Sequence, residues 1–496
     1  MSLLEQLASW AAGLSFDDIP LSVVTQAKSQ ILSQLAAVRA GTTNPAGKAI
    51  ITSFGSPLQP NPKSSAYVLA ALSMCLDFDD TAFAGHLSHS CVNVPLAYTH
   101  YLQLDGKTLL TAVITANECA ARITAAATLG YHRGQTASHT HLVGSVAGRL
   151  SAQRAAASYW VNAWGIALSM PNWVLMPGFL GSDAKLFTAA TPVRAGLDAV
   201  DAALAGLHGL SNIVEIEDGF LQQFADVPLP EMLTKGLGTR WHTQTISFKI
   251  YPGCAYLDSA IDCAVAVHAE LAERFSPVEL AESVTSIKIH ASIFTVGMDE
   301  ESRSFVKGPS SPLSALNFST GYSVATALAY GTLSPVDFLP EQIDDPVRWI
   351  LAGKVQLILD LDLTEKSLLA TAPLGEALRE GGTSAAEWLT SKGGEIGSKL
   401  AAKLERPSSD FTRATKSIGA RLEVELDDGT LLEKSCEAAK GSVGTNSPAQ
   451  QWALMVEKFL ITGGHEDTTR AIENLEYLSP SQTAAEVEKA LQIVEQ

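Results

Sequence analysis

The stretch Ser283-Val-Thr-Ser-Ile-Lys-Ile-His-Ala-Ser292 changes the texture of the chain. Ile287 and Ile289 alternate there with Lys288 and His290, a period of two that fits a half-buried strand. Upstream, apolar residues recur every three or four positions instead. Val24, Ala27, Ile31, Leu35 and Val38 make one helical face, with Pro20 and Ser22 marking a start and Gly41 a stop. Tyr67 to Leu76 is apolar nearly all round, as a buried helix is. Ala-rich helical stretches follow at 109–128, 142–153, 155–169 and 193–207. Beyond the strand, Asn317 to Tyr330 and Pro346 to Ile358 read as helices. Leu422, Val424 and Leu426 then alternate with Arg421, Glu423 and Glu425 ahead of Asp428-Gly429, a hairpin turn. Gln450 to Leu460 returns to helix. The expected fold is mainly α. A large all-helical domain takes residues 1–265 and 445–496, and a smaller α+β domain, 266–444, is inserted between them.

Composition narrows the function classes. Of the 496 residues, 46% are hydrophobic and 17% charged, which excludes disorder as the main state. No apolar run reaches the ~18 residues of a membrane span, and the N-terminus carries no secretory pattern, so a cytoplasmic protein that does not enter membranes is expected. The formal charge of −18 argues against a nucleic-acid partner, which needs a basic face. An anionic small molecule stays compatible, because one cleft can be locally basic. Six cysteines without a C-x-x-C pair read as free thiols. The segment Gly41 to Lys48 fails as a phosphate loop on its spacing and on the residue after Lys48. Neither G-x-G-x-x-G nor G-x-S-x-G occurs.

Three groupings can carry chemistry. Asp77-Phe-Asp-Asp-Thr81 follows directly on the apolar helix, where carboxylates oppose the helix dipole and partial burial would shift their pKa values. Six of the 11 histidines fall between residues 86 and 141, including His86-Leu-Ser-His89 and His139-Thr-His141. Both pairs have metal-ligand spacing, but they lack an H-E-x-x-H helix or a cysteine set, so a general acid/base pool is the more economical reading. Lys249-Ile-Tyr-Pro-Gly-Cys254 leads into Asp258, and its lysine can hold a carboxylate as a point charge.

Taken in order, these pieces resemble the MmgE/PrpD family. Leu76 to Thr81 is similar to its L-D-F-D-D-T signature, Asn117-Glu118 with Arg122 to its G-x-E…R helix, and Ile216 to Phe220 to its L-E-G-x-x-G-F stretch. Lys249 to Cys254 resembles K-x-Y-P-x-C, and Phe318 to Tyr322 resembles F-S-x-x-Y. The resemblance implies a homodimer that uses no metal and no organic cofactor. It also implies a small carboxylate substrate that loses a proton next to a carboxylate. Carried over residue by residue, it places Asp77, Thr81, Lys185, Arg194, Lys249 and Tyr322 in the site. The first catalytic histidine is either His86 or His89, and the second is His132 or His139, with His141 beside them. Asp258 stands where the family has a histidine, which implies a remodelled pocket. The expected activity is a lyase, dehydratase or decarboxylase. The alternatives are an isomerase or epimerase using the same proton removal, and a binding protein that has lost catalysis.

Overall fold

The computed structural model describes residues 1–83 and 85–492, and it is mainly helical with a small sheet. Helices Leu21–Thr43, Pro62–Met74, Gly106–Ala126, Thr140–Ala152 and Ala184–Leu204 pack into one apolar core. Their caps follow from the residues that precede them. Asn61 and Asp105 accept backbone N–H bonds from Lys63 and Thr108, satisfying donors that the first turn leaves free.

Gly41 does not end the first long helix, which runs on to Thr43. A Cβ at Gly41 would lie 2.1 Å from the carbonyl oxygen of Leu72, so the glycine lets helices Leu21–Thr43 and Pro62–Met74 cross closely. The helix read from residue 193 begins earlier, at Ala184. Pro192 sits inside it and obscures the periodicity.

The expected strand is Val284–Ala291. It lies at the centre of a four-stranded sheet in the order 355–359, 284–291, 420–426, 431–436. It pairs antiparallel with Ala420–Leu426, Ile287 opposite Val424, and parallel with Val355–Leu359, Ile287 opposite Val355. The parallel strand corrects the reading of 346–358 as one helix. The helix is Pro346–Ala352, and beyond Gly353 the chain extends to join the sheet. A short apolar run fits either state until its pairing partner is known. Ile287, Ile289, Leu422 and Val424 turn to the buried face, which helix Asp258–Leu271 covers.

Pro448–Ile461 returns to the helical body and lies along Leu21–Thr43. Arg39 fastens the C-terminal region by donating to Thr462 O, Gly463 O and Ala490 O. Among the described residues no helix is long and apolar enough to cross a membrane.

Candidate active site

Two of the sequence motifs meet through a two-residue antiparallel ladder, with Asp80 opposite Phe248 and Thr81 opposite Ser247. The same join is reinforced by Lys249 N–H to Asp79 O at 3.3 Å and Gly253 N–H to Leu76 O at 2.9 Å. Gly253 has φ +112°, and a Cβ there would lie 2.8 Å from Asn317 O, so the turn after Pro252 calls for glycine. Asp77 itself has φ 51°, a left-handed conformation unusual for a residue with a side chain. Glu118 and Arg122 support this region from below. Glu118 accepts from the backbone N–H groups of His242 and Thr243, and Arg122 donates to Lys235 O and Arg240 O. That motif is architectural: it positions the segment leading into residues 247–249.

The ladder buries a charge cluster. Lys249 Nζ donates to Asp79 Oδ1 at 2.8 Å and to Asp77 O at 2.7 Å, and lies 3.2 Å from Asp77 Oδ1. Lys185 Nζ lies 3.8 Å from Asp77 Oδ2. His86 Nδ1 is 2.8 Å from Asp79 Oδ2, and His89 Nε2 lies 3.0 Å from the same oxygen. Burial alone would raise Asp79, but the charges of His86, Lys249 and His89 outweigh it and hold the carboxyl well below its ordinary value. Asp77 is lowered in the same way, Lys185 and Lys249 overcoming burial. Ionised Asp79 can only accept, so it sets the Nδ1–H tautomer of His86 and leaves Nε2 as the basic atom.

A cavity of about 380 Å³ opens beside the cluster. Asp77, Thr81, His86, His132 and Lys416 form its polar wall. His89 is wholly buried behind His86, with Nδ1 2.8 Å from Ser73 Oγ, so of that pair His86 is the one that meets the cavity. His132 is exposed on this wall, and desolvation by the atoms around it, then the charge of His86, lower its pKa. His139 packs edge-on against Phe220 and Phe224, and burial lowers its pKa to about 4. His141 Nδ1 faces Ser90 Oγ at 3.2 Å.

Several other expected residues lie elsewhere. The Arg194 guanidinium sits 5.3 Å over the Tyr67 ring, outside the cavity wall. Tyr322 is fully buried and donates its hydroxyl to Asp337 O, in a cluster with Phe338 and Trp349. Lys249 spends its donors on the acidic loop and is not part of the wall. Asp258 is buried at the start of its helix, where burial raises its carboxyl to about 7 despite the nearby charges of Lys416 and Lys249.

Lys416 is the lysine that reaches the cavity, donating to Thr81 Oγ1 at 2.8 Å. Burial lowers it to about 8, with Asp258 pulling the other way. No motif marks it; it lies 335 residues from the threonine it contacts. Lys458 was equally silent in sequence. It donates to Ser33 Oγ, Phe78 O and Lys249 O, tying the acidic loop and the lysine strand to the C-terminal helix. Asp79, by contrast, stood inside the quoted acidic motif.

Asp77, Asp79, His86 and His89 present atoms within 4.8 Å of one another, a spacing that suits a cation. The Lys249 ammonium already lies between those carboxylates and, with Lys185, balances their charge, so a divalent ion would have to displace it.

Two family models match the chain in order: the MmgE/PrpD N-terminal domain over residues 5–232 and the MmgE/PrpD C-terminal domain over residues 251–404. A cis-aconitate decarboxylase of Aspergillus terreus is 24% identical over 397 residues, 71% of this chain and 77% of that protein. A cis-aconitate decarboxylase of Aspergillus terreus strain NIH 2624 / FGSC A1156 is 25% identical over 294 residues, 52% of this chain and 58% of that one. The matched spans take in the N-terminal helices and the strands 284–291 and 355–359 but not residues 405–496, and the ladder at Asp80 stitches the acidic loop of one to the segment leading into the other. On both models, the chain belongs to the MmgE/PrpD family.

Proposed function

We propose that the protein is a cofactor-independent lyase that removes a proton from the carbon next to a carboxylate of a small organic acid. The observation that carries this reading is His86, paired from behind with buried Asp79, on the wall of a cavity that also presents Lys416. His86 Nε2 is the base. Lys416, with the Thr81 hydroxyl, receives the substrate carboxylate and stabilises the negative charge that spreads onto it as the C–H bond breaks. Lys185, Lys249, Asp77 and Asp79 form a nearly neutral buried frame that keeps the histidine in one tautomer and orientation.

In dehydration, the electron pair of the broken C–H bond forms the new double bond, and the β-hydroxyl leaves as water after taking the proton that His86 removed. In decarboxylation the histidine works in reverse: the C–C bond pair stays on the carbon that carried the carboxylate as CO2 leaves, and His86, protonated beforehand from solvent, delivers that proton to the same carbon. Names of the Aspergillus relatives favour decarboxylation. The second histidine on the wall also supports an isomerase, in which His86 keeps the proton it removes and His132, protonated from solvent beforehand, delivers its own to the opposite face.

The test is a mass-spectrometric screen of β-hydroxy and β-carboxy acids for loss of water or CO2, with and without chelator. Conversion that resists chelation and falls at least ~100-fold in His86→Gln is expected, the size of a general base's contribution. Conversion indifferent to that substitution would overturn the reading.

A further inference from the structure

The cavity lining combines two unlike chemistries. Besides its polar residues the wall carries Val174, Met176, Phe179, Phe294, Met298 and Trp388. Phe294, Gly297, Met298 and Glu301 share one face of helix Ile293–Arg303, so the helix offers the cavity an apolar stripe with a carboxylate at its far end. Among the described residues Lys416 is the single lysine or arginine on the wall, and Asp77 and Glu301 are negative. A substrate with a carboxylate at each end would set one of them against apolar side chains and Glu301, without a cation to replace its water.

We infer that the substrate class is an acid with one or two carboxylates clustered at the Lys416 end and an apolar alkyl or aromatic arm lying along the Phe294–Met298 stripe. The inference rests on the carboxylate reading of Lys416 given above and adds the opposite half of the ligand. Gly297 is the opening for that arm, since a Cβ there would meet nothing within 4 Å. A larger side chain at this position is tolerated by the fold and extends into the space the arm needs.

Calorimetric titration of the full chain with succinate, butyl-, hexyl- and octylsuccinate, and with propane-1,2,3-tricarboxylate, tests it. None of these has to react, so the result is independent of the lyase chemistry. The dissociation constant is expected to fall about three- to fourfold per added methylene until the arm is full, the effect of ~0.8 kcal/mol per buried CH2. Hexylsuccinate should bind more tightly than the tricarboxylate. Gly297→Leu should collapse the ratio between long and short members. A flat series, a preference for the tricarboxylate, or a slope untouched by Gly297→Leu would overturn the apolar arm. A full slope that is indifferent to Lys416→Gln would instead overturn the carboxylate end on which it rests.

Discussion

Asp79 accepts from a lysine and a histidine at once, a duty that takes an ionised carboxylate in a dry site. In Asp79→Asn the amide brings donors of its own, loses the charge that fixes the His86 tautomer, and leaves the Lys249 ammonium with Asp77 alone. Turnover should fall ~100-fold or more, and removing one partner of a buried pair should lower stability by about 3–5 kcal/mol. Steady-state kinetics and urea unfolding check the two effects separately. Lys416 governs the pH response. Its buried ammonium, lowered to about 8, holds the substrate carboxylate only while protonated. The ratio kcat/KM should therefore decline as pH rises through about 8, mainly through KM. Lys416→Arg, whose charge persists, should extend the plateau upward. A pH–rate profile whose alkaline limb is identical in both proteins would remove Lys416 from substrate binding.

At the scale of elements, the long helices were legible because their apolar spacing survives in the sequence, and the central strand because its period is two. Gly41 misled because a glycine near the end of a helical pattern has two uses, to stop the helix or to let another pass. Only the neighbouring Leu72 carbonyl decides between them. Gly41→Ala improves local helix propensity by about 1 kcal/mol, yet it should destabilise the protein by about 1–3 kcal/mol net, as overpacked contacts do. Denaturant midpoints of the two proteins check the sign. Residues 355–359 were misread for a related reason: their identity as a strand is conferred by pairing with 284–291, far away in sequence. The acidic motif, His86 and Lys249 were visible as chemistry, whereas Lys416 and Lys458 carry no local signal. An isolated lysine reads as a solvated surface charge, and only the fold buries these two.

For the molecule as a whole, the cavity draws its wall from segments as distant as Met74 and Lys416, so the helical body and the sheet-bearing part both contribute. The buried acidic cluster also links the site to overall stability. Asp77 and Asp79 are held below their unfolded value of 3.8, so their contribution is complete above that value and is lost as pH falls through their folded pKa. In Lys249→Met the lysine that pairs with both carboxyls is gone, leaving Lys185 to hold down Asp77 and His86 to hold down Asp79, so burial counts for more and raises both. Acid unfolding, followed by circular dichroism, should then begin at a higher pH than in wild type.

The central claim is that His86, oriented by Asp79, exchanges a proton with the carbon beside a carboxylate held at Lys416. Solvent-deuterium incorporation into a bound acid, read by NMR or mass spectrometry, tests it most directly because it needs neither a leaving group nor net turnover. The account predicts deuterium at the carbon next to the carboxylate with wild type, at a rate cut ~100-fold in both His86→Gln and Asp79→Asn. Exchange that persists undiminished in those variants, or a tightly bound acid that never exchanges in wild type, would contradict it.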